Sequence, residues 1–405
     1  MSKIVIIGAG HAGGMAAIFL RKLKFNGSIT IVGDESFLPY QKPGLSKTFL
    51  SGEIEKDLLF LRKLEFYKKN KISILLESKV KSLNRHEKCL ILENNKKISY
   101  SRLIIATGSY PIKLNTKTSN NDISYLRTIN DSENLKSQMN TSENIGIIGA
   151  GYIGLEIASV AIKRNLDVKI IEYQDRVMSR VVSPLVSSFF QSKHESHNVK
   201  FIFNKSAVDI QKTKNCQKIL LSDNTHIDRD LVAIGIGVQP NTMIADNSGL
   251  DCNNGIIVDK NCITSDENIY AIGDCTNHLN DVFNERMRLE SVQNAVDQAK
   301  TAAAHIVGKP TPYNEVPWFW TDQYEITLQI AGKWTNYDDQ IVKGSIDQEK
   351  FSVIYFMKNK LVAVEAINSP KDFLTGKKLI KSKIEVDKKF LKENNLDLKS
   401  VMLKN

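Results

Sequence analysis

A chain of 405 residues with 42% hydrophobic and 25% charged residues has a globular composition, and its length exceeds what one compact core holds. The net charge of +10 is dispersed rather than gathered in an aromatic-interleaved basic stripe, which argues against nucleic-acid binding and leaves an acidic protein partner open. No apolar run reaches bilayer-spanning length, and the chain enters a strand at Ile4-Val5-Ile6-Ile7 with no cationic leader before it. No membrane role and a cytoplasmic location are therefore expected. The five cysteines are scattered, odd in number and without a C-x-x-C pair, so neither a disulfide framework nor a metal site is expected. His194 and His197 have no acidic or sulfur partner at a motif spacing and read as a solvated helix face.

In chain order, the first strand runs into Gly8-Ala9-Gly10-His11-Ala12-Gly13 and then a helical stretch to Leu23. Gly27 breaks the chain before a second strand, Ile29 to Val32, closed by Asp34. Shorter strands follow, ending in Leu103 to Gly108. The opening pattern then returns: strand Asn144 to Ile148, turn Gly149-Ala150-Gly151-Tyr152-Ile153-Gly154, helix Leu155 to Arg164, strand Val168 to Ile171, carboxylate Glu172. Leu231 to Ile236 with Gly237, and Ile269 to Asp274, read as further buried strands. Ser291 to Val307 reads as an alanine-rich helix stopped by Gly308 and Pro310. Beyond Pro312, alternation in Thr327–Ile330 and Phe351–Phe356 predicts antiparallel strands.

A lone G-x-G-x-x-G is a weak signal. Here each one follows a strand, opens a helix and precedes a strand tipped by a carboxylate, which is the context of a dinucleotide site. The first glycine makes the tight turn, the second admits the pyrophosphate, and the third lets helix and strand pack closely. The helix N-terminus supplies positive potential. Gly8, Gly10 and Gly13 with Asp34 form one such set; Gly149, Gly151 and Gly154 with Glu172 form the other. The fold class follows: α/β, with two Rossmann-like domains, the second inserted in the first, and a C-terminal α+β domain. The expected boundaries are 1–110 and 240–308 for an FAD domain, 111–239 for an NAD domain, and 309–405 for the third. Two dinucleotide units in one chain imply a relay, in which hydride passes from a nicotinamide to a bound flavin. A carboxylate at Glu172 repels a ribose 2′-phosphate and favours NADH over NADPH, a preference that nearby Arg176 would soften.

The ordered stretches Pro39-Tyr40-Gln41-Lys42-Pro43-Gly44-Leu45-Ser46-Lys47, Ala106-Thr107-Gly108-Ser109, Tyr125-Leu126-Arg127-Thr128, Asp175-Arg176-Val177-Met178, Ala271-Ile272-Gly273-Asp274-Cys275 and Pro317-Trp318-Phe319-Trp320 extend the comparison along nearly the whole chain. The sequence resembles the pyridine nucleotide–disulfide oxidoreductase superfamily, in its branch of oxygenase-coupled ferredoxin reductases of the putidaredoxin and rubredoxin reductase type. The resemblance implies that Asp34 holds the FAD ribose, Ala12 lines the pyrophosphate turn, and Val80 meets the adenine. It further implies Arg127 near the cofactor, Asp274 on the ribityl chain, Val292 under the pyrimidine edge, and Gly237 at the exit of a cofactor-site strand. Lys47 and Glu156 resemble a pair placed beside flavin N5, and Tyr152 an aromatic over the ring face that receives nicotinamide. Lys42 and Gly44 depart from the usual Arg and Pro, which weakens the implied geometry beside Lys47.

The stretch Lys42 to Gly52 holds no cysteine where disulfide reductases of the superfamily carry their redox pair. Electrons must then leave the flavin for another acceptor. An iron–sulfur protein is the natural one-electron partner, and Trp320 resembles an aromatic between flavin and partner. On the residues alone, Trp320 reads more readily as a core tryptophan of a third-domain strand. The expected function is an NADH-dependent reductase of an acidic [2Fe–2S] ferredoxin serving an oxygenase or cytochrome P450, acting as monomer or homodimer. A rubredoxin reductase, an NADH oxidase, and an apoptosis-inducing-factor-like redox-responsive binding protein stay open.

Overall fold

The computed structural model describes residues 2–116 and 123–404. The chain forms two compact units. One comprises the chain up to Lys42 with Asp57–Tyr110 and Gln239–Pro317; the other comprises Pro43–Lys56, Pro111–Val238 and the chain from Trp318 on. Residues 43–56 thus cluster with the second glycine motif, whereas the sequence reading groups them with the first. Ser132 donates to the Leu45 carbonyl at 2.8 Å, and Arg164 reaches the Leu50 and Ser51 carbonyls at 3.0 Å. None of these ties follows from local sequence.

In the first unit, strand Lys3–Ile7 lies between Ser28–Val32 and Arg102–Ile105, with Ile72–Leu75 and Ile269–Ala271 outermost, all parallel. The near-continuous Ile and Val of the central strands reflect burial on both faces. Helix His11–Lys22 packs on Val292–Ile306 through small residues, with Ala12, Ala16, Ala17, Ala299, Ala302 and Ala303 in one apolar core. A meander of Val80–Asn84, Cys89–Leu92 and Lys97–Ser99 fills the excursion before the fourth sheet strand.

The second unit repeats this plan. Asn144–Ile148 is central, flanked by Asp167–Ile171 and Leu231–Ile234, with Lys200–Ile202 and Ser124–Tyr125 outside. Its own meander is Ala207–Lys212, Gln217–Leu221 and His226–Arg229. The internal similarity therefore extends beyond the glycine turns to three parallel strands, a meander and a fourth strand in the same order. Only the fifth strand differs, coming last in the first unit (Ile269–Ala271) and first in the second (Ser124–Tyr125). The same unit holds a five-stranded antiparallel sheet in the order Trp318–Gln323, Ile326–Gly332, Lys360–Ile367, Lys350–Met357, Asp339–Ser345, with helix Pro370–Ser382 packed on it. The doubly repeated parallel sheets and this antiparallel sheet agree with the expected fold class. Among the described residues, no helix is long and apolar enough to cross a membrane.

His194 corrects one expectation. It is fully buried rather than solvated. Its Nε2 donates to Gln323 Oε1 at 2.9 Å, and its Nδ1 accepts from the Tyr324 hydroxyl at 3.0 Å. His197 stacks on the Tyr324 ring at 3.9 Å. Burial holds the His194 imidazole down to about 4, so it stays neutral in the folded protein. An unfolded chain binds that proton near 6.5, so this contribution is complete above pH 6.5 and lost as pH falls toward 4. The loss amounts to about 3 kcal/mol. Trp318, Trp320 and Trp334 all lie in this unit, so tryptophan fluorescence follows its unfolding. His194→Gln should flatten the fall in stability between pH 6.5 and 4, measured by urea unfolding at each pH.

Candidate functional site

The two glycine turns have the same stereochemistry. Gly8 and Gly149 hold φ of +110° and +99°, and a Cβ on either would strike a backbone carbonyl, Ala106 at 2.2 Å or Gly235 at 2.5 Å. A Cβ on Gly13 or Gly154 would lie 2.0 Å from the carbonyl oxygen of Gly8 or Gly149. The middle glycines differ in kind. A Cβ on Gly10 meets nothing within 4 Å, and one on Gly151 meets only the Gly235 oxygen at 4.0 Å. These are open approaches to backbone, as a pyrophosphate requires. Helices His11–Lys22 and Tyr152–Lys163 begin without a side-chain cap and without an acidic residue in the first turn. By contrast Thr128, Ser183 and Ser291 cap Ile129–Met139, Pro184–Ser196 and Val292–Ile306. Two uncapped N-termini behind open glycines suit two anionic ligands.

In the first unit Gly8, Asp34 and Val80 line one cleft with Val32, Ser78 and Thr107, so three of the sequence-selected residues meet there. Asp274 accepts from Ser109 at 2.9 Å, and the Ala12 methyl lies 3.1 Å from where a Cβ on Gly273 would be. Asp274 is thereby held beside the glycine turn. Val292 opens its helix, and the next residues carry buried oxygens, Gln293 Oε1 and Asn294 Oδ1, without a protein partner. His11 Nδ1 is buried in the same state. Burial takes the His11 imidazole down to about 4, against the opposing pull of Asp274. Ser109, His11, Gln293 and Asn294 were not selected from sequence, although His11 and Gln293 adjoin residues that were and Ser109 bonds one. Lys42, at the departure from arginine, bonds the Tyr40 hydroxyl at 3.1 Å and Glu35 at 3.4 Å, so the cation keeps partners despite losing the planar fork.

In the second unit Glu172 Oε2 accepts the Ala150 N–H at 2.6 Å, and Oε1 accepts that of Gln174 at 2.8 Å. The carboxylate is thus locked against the glycine turn. Arg176 does not face it: its guanidinium donates to the Ser179 and Val182 carbonyls at 2.7 and 3.1 Å. Gly237, with φ +114°, faces Arg180 and Ile112 rather than the turn, which Gly235 abuts. The equivalence of Gly235-Ile236-Gly237 to Ala106-Thr107-Gly108 was the signal available for Gly235. Arg127 enters helix Ile129–Met139, and its N–H bonds Asp131 at 3.0 Å beside the capping box.

Lys47 and Glu156 come together. Glu156 is 2% exposed, on a helix that begins at the second glycine turn. Its Oε1 accepts from Lys47 Nζ at 3.0 Å and from Thr321 at 2.6 Å, while Oε2 accepts from Ser46. Burial pushes the Glu156 carboxyl up, and Lys47 is the strongest opposing influence. Tyr152 stacks on Phe319 with centroids 4.4 Å apart, and burial pushes its phenol far above the ordinary range, so it stays neutral. Trp320 is half-buried, 5.5 Å from Trp318 and with Lys47 Nζ 5.7 Å from its ring. Ser46 and Thr321, missed from sequence, complete the shell of Glu156.

The model of the pyridine nucleotide-disulphide oxidoreductase family matches residues 2–299, and that of the reductase C-terminal domain matches 318–402. The chain belongs to this family. As a member it is an oxidoreductase of the class that works with FAD and a pyridine nucleotide, and the paired glycine cradles fit both. Rhodocoxin reductase of Rhodococcus erythropolis is 38% identical, over 98% of this chain and 93% of its own length. Putidaredoxin reductase CamA of Pseudomonas putida is 36% identical over 99% and 96%. The solved covalent putidaredoxin reductase–putidaredoxin complex superimposes with a TM-score of 0.95 at 35% identity, covering 100% of this chain and 98% of that one. Burial pushes the Cys89, Cys262 and Cys275 thiols up, and Cys252 up to about 12, away from the activated state.

Removal of the Lys47 charge leaves a buried carboxylate without its cation. Lys47→Met should cost about 3–5 kcal/mol by urea unfolding. Adding Glu156→Gln should recover a large part of that loss; full additivity of the two changes would mean that the pair does not interact.

Proposed function

We propose that the chain is an NADH-dependent reductase that passes electrons singly to a [2Fe–2S] ferredoxin serving an oxygenase or cytochrome P450. The observation that carries this reading is a second dinucleotide cradle in a chain whose 42–52 segment holds no thiol and instead contributes Lys47 to an ion pair with the buried Glu156. The names of the relatives support it, since they are a rhodocoxin reductase and a putidaredoxin reductase, the latter also solved in complex with putidaredoxin. In this reading Gly8, Gly10, Gly13, Asp34, Val80, Asp274 and Val292 hold FAD. Gly149, Gly151, Gly154 and Glu172 hold NADH.

Bound FAD supplies the chemistry of accepting a hydride and giving up electrons one at a time. The protein's share is positional and electrostatic. Lys47 provides a fixed positive charge, and Glu156, itself held by the Ser46 and Thr321 hydroxyls, keeps that ammonium in one place. Tyr152, packed flat on Phe319, makes an aromatic wall at the head of the nucleotide helix. Glu172 sets coenzyme choice: its lone pairs suit a ribose diol and repel a 2′-phosphate, and the diverted Arg176 offers that phosphate no counter-charge. Trp320, half-exposed on the third region, is the contact for the electron acceptor.

Glu172→Ala should raise the KM for NADH roughly tenfold and narrow discrimination against NADPH, with kcat far less affected. Unaltered discrimination in steady-state assays with both coenzymes would remove its assigned role. In stopped-flow, NADH should bleach the flavin quickly, and cytochrome c reduction should require added ferredoxin. Trp320→Ala should slow that second phase about tenfold more than the first. Slow bleaching with a long-lived charge-transfer band would instead favour a redox-responsive binding protein.

A further inference from the structure

Electron counting on the proposed reaction leaves one particle unassigned. NADH gives up a hydride, which is two electrons and one proton, while two one-electron iron–sulfur acceptors take electrons alone. One proton per NADH must therefore reach solvent, and it is set free only when the electrons depart.

Beyond the Lys47–Glu156 pair lies a third charged group. Asp322 Oδ2 is 3.9 Å from Lys47 Nζ, whose nearer carboxylate, Glu156 Oε1, is at 3.0 Å. The three side chains are graded in exposure: Glu156 3%, Lys47 14%, Asp322 43%. Asp322 is not slack, because its Oδ1 accepts from Thr327 on the adjacent strand at 2.8 Å, which turns Oδ2 toward the lysine. Strand Trp318–Gln323 is an edge of its sheet. Lys47 lies at that edge, hydrogen-bonded to Thr321's partner Glu156 on one face and within ion-pair distance of Asp322 on the other. Two carboxylates on one ammonium carry a net negative charge when all are ionised, which attracts a proton.

We propose that Glu156, Lys47 and Asp322 form the proton exit, with Asp322 as its solvent-side end. The liberated proton forms an O–H bond on Glu156. Lys47 gives one N–H proton to a water bridging the 3.9 Å to Asp322, that water passes one of its own protons to Asp322, and Lys47 takes the Glu156 proton in place of the one it gave. Asp322 then releases its proton to water, and all three groups return to their starting states. Asp322 acts through Lys47 and is a relay residue rather than a group that touches the cofactor. Burial strengthens the hold of Glu156 on a proton, as the first acceptor requires. The other titratable groups bearing on this carboxylate are Lys47 itself and Tyr152, with Glu365 beyond Tyr152. Trp320 and Asp322 are two residues apart on one strand face, so electrons and proton leave side by side.

This inference rests on the ferredoxin-reductase reading. Its test uses NADH-reduced holoenzyme mixed with ferricyanide, an acceptor of electrons alone, in weakly buffered solution with a pH indicator. Wild-type enzyme should release one proton per NADH in step with reoxidation. Asp322→Asn should delay that release roughly tenfold, with an enlarged solvent isotope effect, and Asp322→Glu should restore it. A second readout needs no turnover: in resting, lysine-15N-labelled holoenzyme, Asp322→Asn should slow hydrogen exchange at Lys47 Nζ severalfold. Wild-type rates of proton release in Asp322→Asn, or equal slowing of hydride uptake and proton release, overturn the relay alone. If the wild-type enzyme consumes protons when turning over with an oxidised [2Fe–2S] protein, the reading of the reaction falls and the relay with it.

Discussion

The buried carboxylate of Glu156 is the constraint around which the second unit is organised. Taking an ion of this kind out of water carries an effective penalty of several kcal/mol unless its lone pairs find donors. The donors here are Ser46, Lys47 and Thr321, from a segment about 110 residues before Glu156 and a strand about 165 residues after it. No fragment of the chain can assemble them. Burial of Glu156 is therefore compatible only with the complete packing of residues 43–56, helix Tyr152–Lys163 and strand Trp318–Gln323. An apolar cluster of the same volume would serve stability as well or better, so the polar arrangement is explained by what a held ammonium does chemically.

The glycine turns show a second economy, in which one backbone solution is used twice with different endings. Gly8 and Gly149 are forced by positive φ and by a carbonyl oxygen 2.2 or 2.5 Å from where a Cβ would stand; Gly10 and Gly151 are open. The carboxylates then diverge. Asp34 is exposed at a cleft, whereas the longer Glu172 folds back onto the Ala150 N–H. Under the proposed assignment the first site keeps its ligand and the second exchanges it at every turnover. A carboxylate with a backbone partner to return to loses little when the coenzyme departs, which suits the second role.

The legible parts of this protein were those in which cause and consequence lie close in sequence. A strand, a turn needing three glycines, a helix and an acidic strand end fit within about thirty residues, and the alternation of the third region is local too. The partnership of Lys47 with Glu156 was reachable only through the family resemblance. What escaped was set by contacts across the chain. His194 read as solvated because its neighbours in sequence are polar, yet its partners Gln323 and Tyr324 lie about 130 residues away. Gly237 carries the conspicuous exit glycine, but Gly235 is the residue that meets the turn. Asp322 and Thr321 belong to no local motif of their own, and their meaning comes from Lys47.

Strand Trp318–Gln323 explains why one short segment can serve so many ends. Alternation sends Phe319, Thr321 and Gln323 inward to Tyr152, Glu156 and His194, and leaves Trp318, Trp320 and Asp322 on the other face. In a central strand those two sets would be separated by neighbouring backbone. At a sheet edge one flank is free, so a single flexible side chain from another segment can approach both. Lys47 occupies that flank, and its length and compact charge suit the task better than the rigid fork of an arginine. The edge position that a β-protein ordinarily has to protect is here covered by the residue on which the site's electrostatics turn.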